Sequence, residues 1–189
     1  VRLPPEFDHE EADIENRRDA GHWASQRVTY ANGAPLARDL GQAAILLPAG
    51  CNGPAFMVTQ NFYAVMDYNP LVEYAMAVSL LAETLKAGDY RLARAWPEED
   101  ALSPGDRARL QEALNRRGHG DLEVDGRLGR ESRAAIRRAQ AALGQCADGY
   151  ATASLLYALD RSDRRMVRQD ATPRRGPFPV QAGTRTRRR

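Results

Sequence analysis

The chain has 189 residues, of which 43% are hydrophobic and 28% are charged, and its mean hydropathy is −0.57. This composition is typical of a water-soluble protein with one large domain or two small ones. The longest nearly apolar stretches, 43–48 and 74–82, are shorter than the roughly 20 residues that cross a bilayer, so no membrane span is predicted. Because no leader pattern precedes the acidic start, we expect that a leader is missing or that the chain is a fragment.

The net charge of +2 hides an asymmetry. Residues 161–189 hold ten Arg and two Asp, a net charge of +8, so residues 1–160 carry −6. An acidic body excludes most nucleic-acid binders, because phosphate contacts need a basic face. We predict that 161–189 is a disordered tail; the alternative is a segment that binds anionic wall polymers, lipid head groups or nucleic acid.

Residues with metal-binding or catalytic potential are few and scattered. Cys51 and Cys146 are too few for a disulfide framework or a four-ligand zinc site, and the sequence does not say whether they meet. His9, His22 and His119 have no cysteine or carboxylate cluster at ligand spacing. We therefore predict no metal, no cofactor and no catalytic triad.

The first elements in chain order predict a small antiparallel sheet. Residues 6–19 hold seven carboxylates and predict a surface loop or short helix. Val28 and Tyr30 alternate with polar residues before Asn32-Gly33, a pattern typical of a strand and tight turn. The apolar runs 43–47 and 55–59, which a turn-rich segment separates, predict two further strands.

Residues 61–86 have helical spacing, which Pro70 should divide and Gly88 should end. The expected apolar face of the second helix consists of Tyr74, Val78, Leu81 and Leu85. Residues 91–101 have no clear period and predict a linker.

Residues 102–160 predict a compact unit of three helices. The first begins at Ser103-Pro104, which supplies an N-cap and a first-turn proline. Two turns of the same design, Asp125-Gly126 and Asp148-Gly149, precede the other two helices. We interpret them as a structural repeat, since the ligand spacing of a calcium loop is absent.

The densest aromatic and polar cluster lies at 61–69. Tyr68, Asn69 and Asp67 follow the apolar Phe62 and Val65, and aromatic faces beside amides suit a sugar. The alternative is an ordinary core with a helix end, which composition alone favours. Two further carboxylates, Glu73 and Glu83, form no pair, and Glu73 is expected to be solvated because it lies off the apolar stripe.

Two resemblances cover most of the chain. Residues 1–90 resemble the C-terminal part of the catalytic domain of the lytic murein transglycosylase B family, in the segments 1–8, 46–50, 53–56, 61–63, 68–69 and 74–78. Residues 103–159 are similar to the type 1 peptidoglycan-binding domain, through Leu110-Gln111, Leu114-Asn115, Val124-Asp125-Gly126, Leu128-Gly129, Ala134-Ala135-Ile136, Gln140, Asp148-Gly149 and Leu155-Leu156. In that family the second unit often follows the first.

The resemblance implies a periplasmic or cell-envelope lyase of a Gram-negative bacterium that cleaves the MurNAc–GlcNAc bond of peptidoglycan and leaves 1,6-anhydromuramoyl ends. The family's catalytic Glu lies in a segment resembling Trp-Gly-x-Glu-Thr, which this chain lacks. We expect that the catalytic Glu lies upstream of Val1 and that this chain is inactive alone. Tyr68 and Asn69 match the motif that lines the family's glycan cleft and are the predicted substrate contacts. Ala139 and His119 stand where aromatics are usual, which predicts a less stable binding domain.

The predicted fold is therefore α+β: a small antiparallel sheet with helices in a partial lysozyme-like domain at 1–90, a linker at 91–101, a three-helix domain at 102–160 and the basic tail at 161–189. The predicted partner is the peptidoglycan glycan strand, with no nucleic acid. The alternative function is a non-catalytic peptidoglycan-binding protein. Oligomeric state is not predicted.

Overall fold

The computed structural model describes residues 1–88, 92–98 and 101–170, apart from the side chains of 87 and 162–170. Two short 3₁₀ segments lie at His9–Glu11 and Gly50–Asn52. The strands are β1 Arg18–Asp19, β2 Gln42–Leu46 and β3 Phe56–Val58. The helices are α1 Ala20–Ser25, α2 Gln60–Tyr68, α3 Val72–Ala87, α4 Pro104–Arg116, α5 Arg130–Ala142 and α6 Ala153–Asp170. No described helix is both long and apolar enough to cross a bilayer.

The sheet has the order β1-β2-β3 and is antiparallel throughout. Its central strand β2 is buried at 43–45, and Ala44 pairs with Val58 in β3. The two strands predicted at 43–47 and 55–59 are thus found. The strand predicted around Val28 is reduced to isolated bridges at Thr29. The predicted turn forms, but only Gly33 has a positive φ, of +85°, and Asn32 does not.

The sequence reading missed β1 and α1, which begin the sheet layer. Asp19 caps α1 by accepting a hydrogen bond from the backbone N–H of His22. The helix then buries Trp23 completely, and its indole N–H donates to the carbonyl of Ala43 on β2. A single aromatic anchor therefore holds a helix too short for periodicity to reveal.

The helix pair α2 and α3 forms where the sequence predicts it. Pro70 lies between the helices, and Gly88 ends α3 with φ +72°. The predicted inward stripe of α3 is wrong, however: Leu81 and Leu85 are 61% and 78% exposed, whereas Ala75 and Met76 face the core. The face of α3 that packs against α2 instead carries Ala75 and Met76, flanked by the partly buried Val72 and Leu80.

The helices α4, α5 and α6 enclose a second core. Its members include Leu110, Leu114, Ile136, Leu155 and Leu159. The side chain of Ser103 caps α4 as predicted, at 3.1 Å from the N–H of Asp106. Ala139, one of the positions where an aromatic is usual, is fully buried in this core.

The predicted boundary at Asp160 falls inside a helix. The helix α6 continues to Asp170, so the first ten residues of the predicted disordered tail are helical. The rest of that tail lies outside the described residues, and its disorder stays a prediction. Part of the predicted linker also has a packed side chain, since the Trp96 ring lies 6.1 Å from that of Phe56.

Candidate functional site

The end of α2 carries the two predicted substrate contacts. Tyr68 is the last residue of the helix and is 83% exposed. Asn69 is the C-cap; its Oδ1 accepts a hydrogen bond from the N–H of Leu71 at 3.1 Å. Its amide nitrogen makes no hydrogen bond within the part of the chain that the structure describes. An amide donor and an aromatic face are thus both presented to solvent.

A second tyrosine extends this aromatic surface. The ring of Tyr74 on α3 lies 6.3 Å from the ring of Tyr68, at an interplanar angle of 38°. Phe62 and Tyr63, by contrast, are buried, as the alternative of an ordinary core with a helix end predicts, and the exposed Tyr68 at that helix end fits either interpretation. We call Tyr68, Asn69 and Tyr74 the tyrosine patch.

A cleft of about 610 Å³ opens on another side of α2 and α3. Its walls include Phe56, Val58, Phe62 and Met76, and the tyrosine patch is not among its lining residues. Glu83 is the one carboxylate among the described residues that line it. The cleft is therefore an apolar surface with a charged rim.

The carboxylates of this region are exposed or paired with a basic side chain. Glu83 is half-exposed and pairs with Lys86 at 3.4 Å, one turn along α3. Glu73 is exposed, as predicted. His22 pairs with Glu11 at 2.9 Å and stacks edge-on against Trp23, which gives it a packing role.

Tyr63 has a different task from the exposed tyrosines. Its hydroxyl donates to the carbonyl of Ile14 at 2.6 Å, and the guanidinium of Arg17 lies 3.5 Å from its ring centroid. Burial raises the pKa of Tyr63, with the Arg17 charge opposing the shift. These contacts fasten the acidic segment to α2.

The first Asp-Gly turn is held by a buried glutamine on α4. Gln111 is 1% exposed; its Nε2 donates to Asp125 Oδ1 at 3.0 Å, and its Oε1 accepts from the N–H of Gly126 at 2.8 Å. Asp125 Oδ1 also accepts from the N–H of Arg127. These bonds to the charged form lower the pKa of Asp125, with the Gln111 bond contributing most.

The second turn repeats this arrangement with Gln140 from α5. Gln140 Nε2 donates to Asp148 Oδ1 at 2.7 Å, its Oε1 accepts from the N–H of Gly149 at 2.9 Å, and Asp148 Oδ1 accepts from the N–H of Tyr150. The predicted structural repeat is present, and its glutamines are the partners that the sequence reading missed. Leu110-Gln111 and Ala139-Gln140, each an apolar residue followed by Gln, were the available signal.

Within residues 1–88, 92–98 and 101–170, only the second turn contacts the other half of the chain. Asp148 Oδ2 accepts a hydrogen bond from the N–H of Cys51 at 2.7 Å, and Cys51 forms a disulfide with Cys146. Gly50, with φ +65°, permits this close approach, because a Cβ at this position would clash with Asp148 Oδ2. The contact surface formed by Gly50, Cys51, Cys146 and Asp148 is called the junction below.

The comparisons agree with this organisation. A model described as "Transglycosylase SLT domain" matches residues 1–83, and one described as "Putative peptidoglycan binding domain" matches residues 103–159. No curated protein matches. Two crystal structures of SltB3 from Pseudomonas aeruginosa, one in complex with NAG-anhNAM-pentapeptide and one with NAG-NAM-pentapeptide, are each 46% identical with a TM-score of 0.78.

Each SltB3 match covers 84% of this chain and 43% of SltB3, so the chain spans less than half the length of that relative. The small sheet with helices and the three-helix unit are thus both found in a solved structure at high similarity. Residues 1–83 therefore belong to the transglycosylase SLT domain family, and residues 103–159 belong to the family described as a putative peptidoglycan binding domain.

Proposed function

We propose that this chain is the substrate-binding C-terminal portion of a lytic transglycosylase of the cell envelope, with an attached wall-binding module. The enzyme cleaves the MurNAc–GlcNAc bond of peptidoglycan and leaves 1,6-anhydromuramoyl ends. The observation that carries the proposal is the 46% identity to SltB3 across both units. The NAG-anhNAM-pentapeptide in one SltB3 complex contains the kind of end that such cleavage leaves.

The proposed reaction needs one carboxyl group in two roles. As an acid it gives its proton to the glycosidic oxygen; as a carboxylate it then takes the proton of the muramoyl 6-hydroxyl, which closes on C1. Such an acid needs surroundings that keep it protonated. The described cleft offers only Glu83, which is half-exposed beside Lys86. We therefore propose that the acid comes from a segment outside these 189 residues.

In this scheme the tyrosine patch binds glycan. An exposed ring stacks on the apolar face of a pyranose, and the adjacent amide donates to a hydroxyl or N-acetyl oxygen. Tyr68 supplies the ring, Tyr74 widens it, and the Asn69 amide nitrogen supplies the donor. Asp67 beside them is exposed and adds an acceptor for sugar hydroxyls.

The function is tested by sedimenting the 189-residue chain with insoluble peptidoglycan and analysing the supernatant by mass spectrometry. We expect co-sedimentation without anhydromuropeptides, and we expect anhydromuropeptides once the longer natural protein, with its upstream segment, is used. Anhydromuropeptides from the 189-residue chain itself would overturn the placement of the acid. Failure of both proteins to bind peptidoglycan would overturn the function.

The glycan contacts are tested with Tyr68→Ala and Asn69→Asp in a titration with a soluble anhydromuropeptide. Asn69→Asp keeps the oxygen that accepts from Leu71 but removes the amide donor, so the turn after α2 should survive. Each change should weaken binding about fivefold to tenfold. Leu81→Ala, which trims another exposed apolar side chain of α3, is the control and should leave binding unchanged.

The alternative, a non-catalytic peptidoglycan-binding protein, is favoured by the same lack of an enclosed carboxyl in the described cleft. The sedimentation experiment with the two proteins distinguishes these two functions. If the longer natural protein binds peptidoglycan and produces no anhydromuropeptides, the binding function stands and the enzymatic one falls.

A further inference from the structure

Three metal-binding side chains that lie far apart in sequence meet at the junction. His9 comes from the first 3₁₀ segment, Cys51 from the second, and Cys146 from the loop after α5. Their ligand atoms all lie within 4.8 Å of one another. We propose that, once the Cys51–Cys146 disulfide is reduced, these three side chains bind one Zn²⁺ ion.

The separation of His9 from Cys146 suits that ion, and the two sulfurs, which are bonded in the oxidised protein, move apart to about 3.8 Å when both bind Zn²⁺. Tetrahedral Zn²⁺ binds thiolate at about 2.3 Å and imidazole nitrogen at about 2.0–2.1 Å, which places two such ligands about 3.5 Å apart. His9 Nε2 lies 3.6 Å from Cys146 Sγ. Two thiolates and one imidazole leave the fourth position to water. The donor set favours Zn²⁺ over Mg²⁺ or Ca²⁺, which prefer oxygen.

The surrounding structure holds each ligand in place. The Cys51 N–H donates to Asp148, and the Cys51 carbonyl accepts from the guanidinium of Arg94. The Cys146 carbonyl accepts from the N–H of Asp148 at 3.0 Å. Such outer contacts restrict the ligands before the ion arrives and so raise metal affinity.

The His9 ring is held as well. It packs edge-on against Phe7, with ring centroids 5.6 Å apart, and its 3₁₀ segment is capped by Asp8. All three ligand residues are half-buried, so an ion can enter while much of its surroundings stays protein. The imidazole would bind through Nε2 in its neutral form.

The electron and proton balance is simple. A dithiol reductant gives two electrons and two protons to the disulfide, yielding two thiols, and is itself oxidised to a disulfide. Zn²⁺ binding then releases the two thiol protons, because only thiolates bind the ion. In the oxidised protein a covalent bond ties the two halves together; in the reduced protein the ion does so. The two states of the site thus serve the same connection.

The test uses the full 189-residue chain. The chain is reduced with a dithiol, and the dithiol is then removed under anaerobic conditions. The reduced chain is titrated with Co²⁺ as a spectroscopic substitute for Zn²⁺. We expect one Co²⁺ per chain, with thiolate-to-metal charge-transfer absorption that Zn²⁺ abolishes. The oxidised chain should show none. His9→Ala should bind at least about tenfold more weakly. His22→Ala, which removes a half-buried histidine outside the cluster, is the matched control.

Three results would overturn the proposal: no charge-transfer band in the reduced wild type, an equal band in the oxidised chain, or His9→Ala binding as tightly as His22→Ala. A second measurement covers the variants' folding. Zn²⁺ should raise the urea midpoint of the reduced wild type and leave that of Cys51→Ser/Cys146→Ser unchanged. Equal effects on both proteins would place the ion elsewhere.

Discussion

The two Asp-Gly turns of the peptidoglycan-binding domain have the same hydrogen bonds and different neighbours. In each, a buried glutamine bonds both the Asp side chain and the Gly N–H. Asp125 is exposed, and within the described residues its hydrogen bonds all reach Oδ1, whereas at Asp148 the second carboxylate oxygen accepts the N–H of Cys51. A repeat that builds the domain has thus acquired, at one copy, a contact with the transglycosylase region.

Few additional contacts hold the two regions together at the second turn. The fold of both turns needs only Oδ1, so Oδ2 is available for another task. At the junction Oδ2 of Asp148 bonds the Cys51 N–H, and the Cys51–Cys146 disulfide and Gly50 allow the two segments to lie close together.

The largest effect is expected from removing the disulfide. Cys51→Ser/Cys146→Ser opens a link between residues 95 apart in sequence. The chain entropy regained by the unfolded state should lower the free energy of unfolding by about 4 kcal/mol. Urea unfolding of the oxidised proteins measures this. A loss below about 1 kcal/mol would mean that the disulfide does not tie the regions in solution.

Two glycine substitutions sharpen the role of close approach at the junction. Gly41→Ala should cost about 1 kcal/mol, because φ is +70° but no atom lies within 4 Å of the added Cβ. Gly50→Ala should cost about 3 kcal/mol, since its Cβ also meets Asp148 Oδ2 and Tyr150. Equal losses in urea unfolding would show that the junction is not closely packed.

The shared feature of the turns is tested at Gln111. Gln111→Leu leaves the buried Gly126 N–H without its acceptor and should cost about 2–3 kcal/mol. The control is Glu112→Leu on the exposed side of α4, which should change stability by less than about 0.5 kcal/mol. Thermal unfolding distinguishes the two. If Gln111→Leu behaves like its neighbour, the glutamine does not hold the turn.

The difference between the turns is tested by the same change at both. Asp125→Asn keeps Oδ1 and should be nearly neutral, whereas Asp148→Asn turns an amide donor towards the Cys51 N–H and should cost about 1–2 kcal/mol. Urea unfolding of both variants provides the comparison. Matching losses would remove the distinction between the turns.

The smallest effect is a pH dependence at the first turn. Hydrogen bonds from Gln111 and from the N–H of Arg127 favour the ionised Asp125, so its pKa in the folded protein lies below the ordinary value of 3.8. The unfolded chain therefore binds more protons near that pH, and this stabilisation is lost as the pH falls below about 4. An NMR titration should show a raised midpoint in Gln111→Leu; an unchanged midpoint would exclude the Gln111 bond as the cause.

Local signals in the sequence predicted much of the fold. Pro70, Gly88 and Ser103-Pro104 mark helix boundaries whose backbone chemistry is local, and the structure has them. β1 and α1 were not predicted, because a strand of two residues and a helix of six are too short to show a hydrophobic period. The predicted buried face of α3 was wrong, because periodicity identifies an apolar face and does not say which face α2 covers.

The candidate sites show the same division. Tyr68 and Asn69 were selected through the family resemblance, since their types and position alone favoured an ordinary core with a helix end. The structure exposes the Tyr68 ring, and contact of both residues with glycan stays a prediction. The junction could not be found, because Cys51, Cys146 and His9 meet only through tertiary packing. Spacing reveals ligand sets within one segment and is silent about sets that three segments assemble.

The most direct test of the contact between the second turn and Cys51 is hydrogen exchange at the Cys51 amide, followed by NMR. If Asp148 holds this amide, it should be protected in the wild type and should exchange about tenfold faster in Asp148→Asn, with no change in Asp125→Asn. Equal exchange rates at Cys51 in all three proteins would contradict the claim that the second turn joins the three-helix unit to the sheet-containing unit.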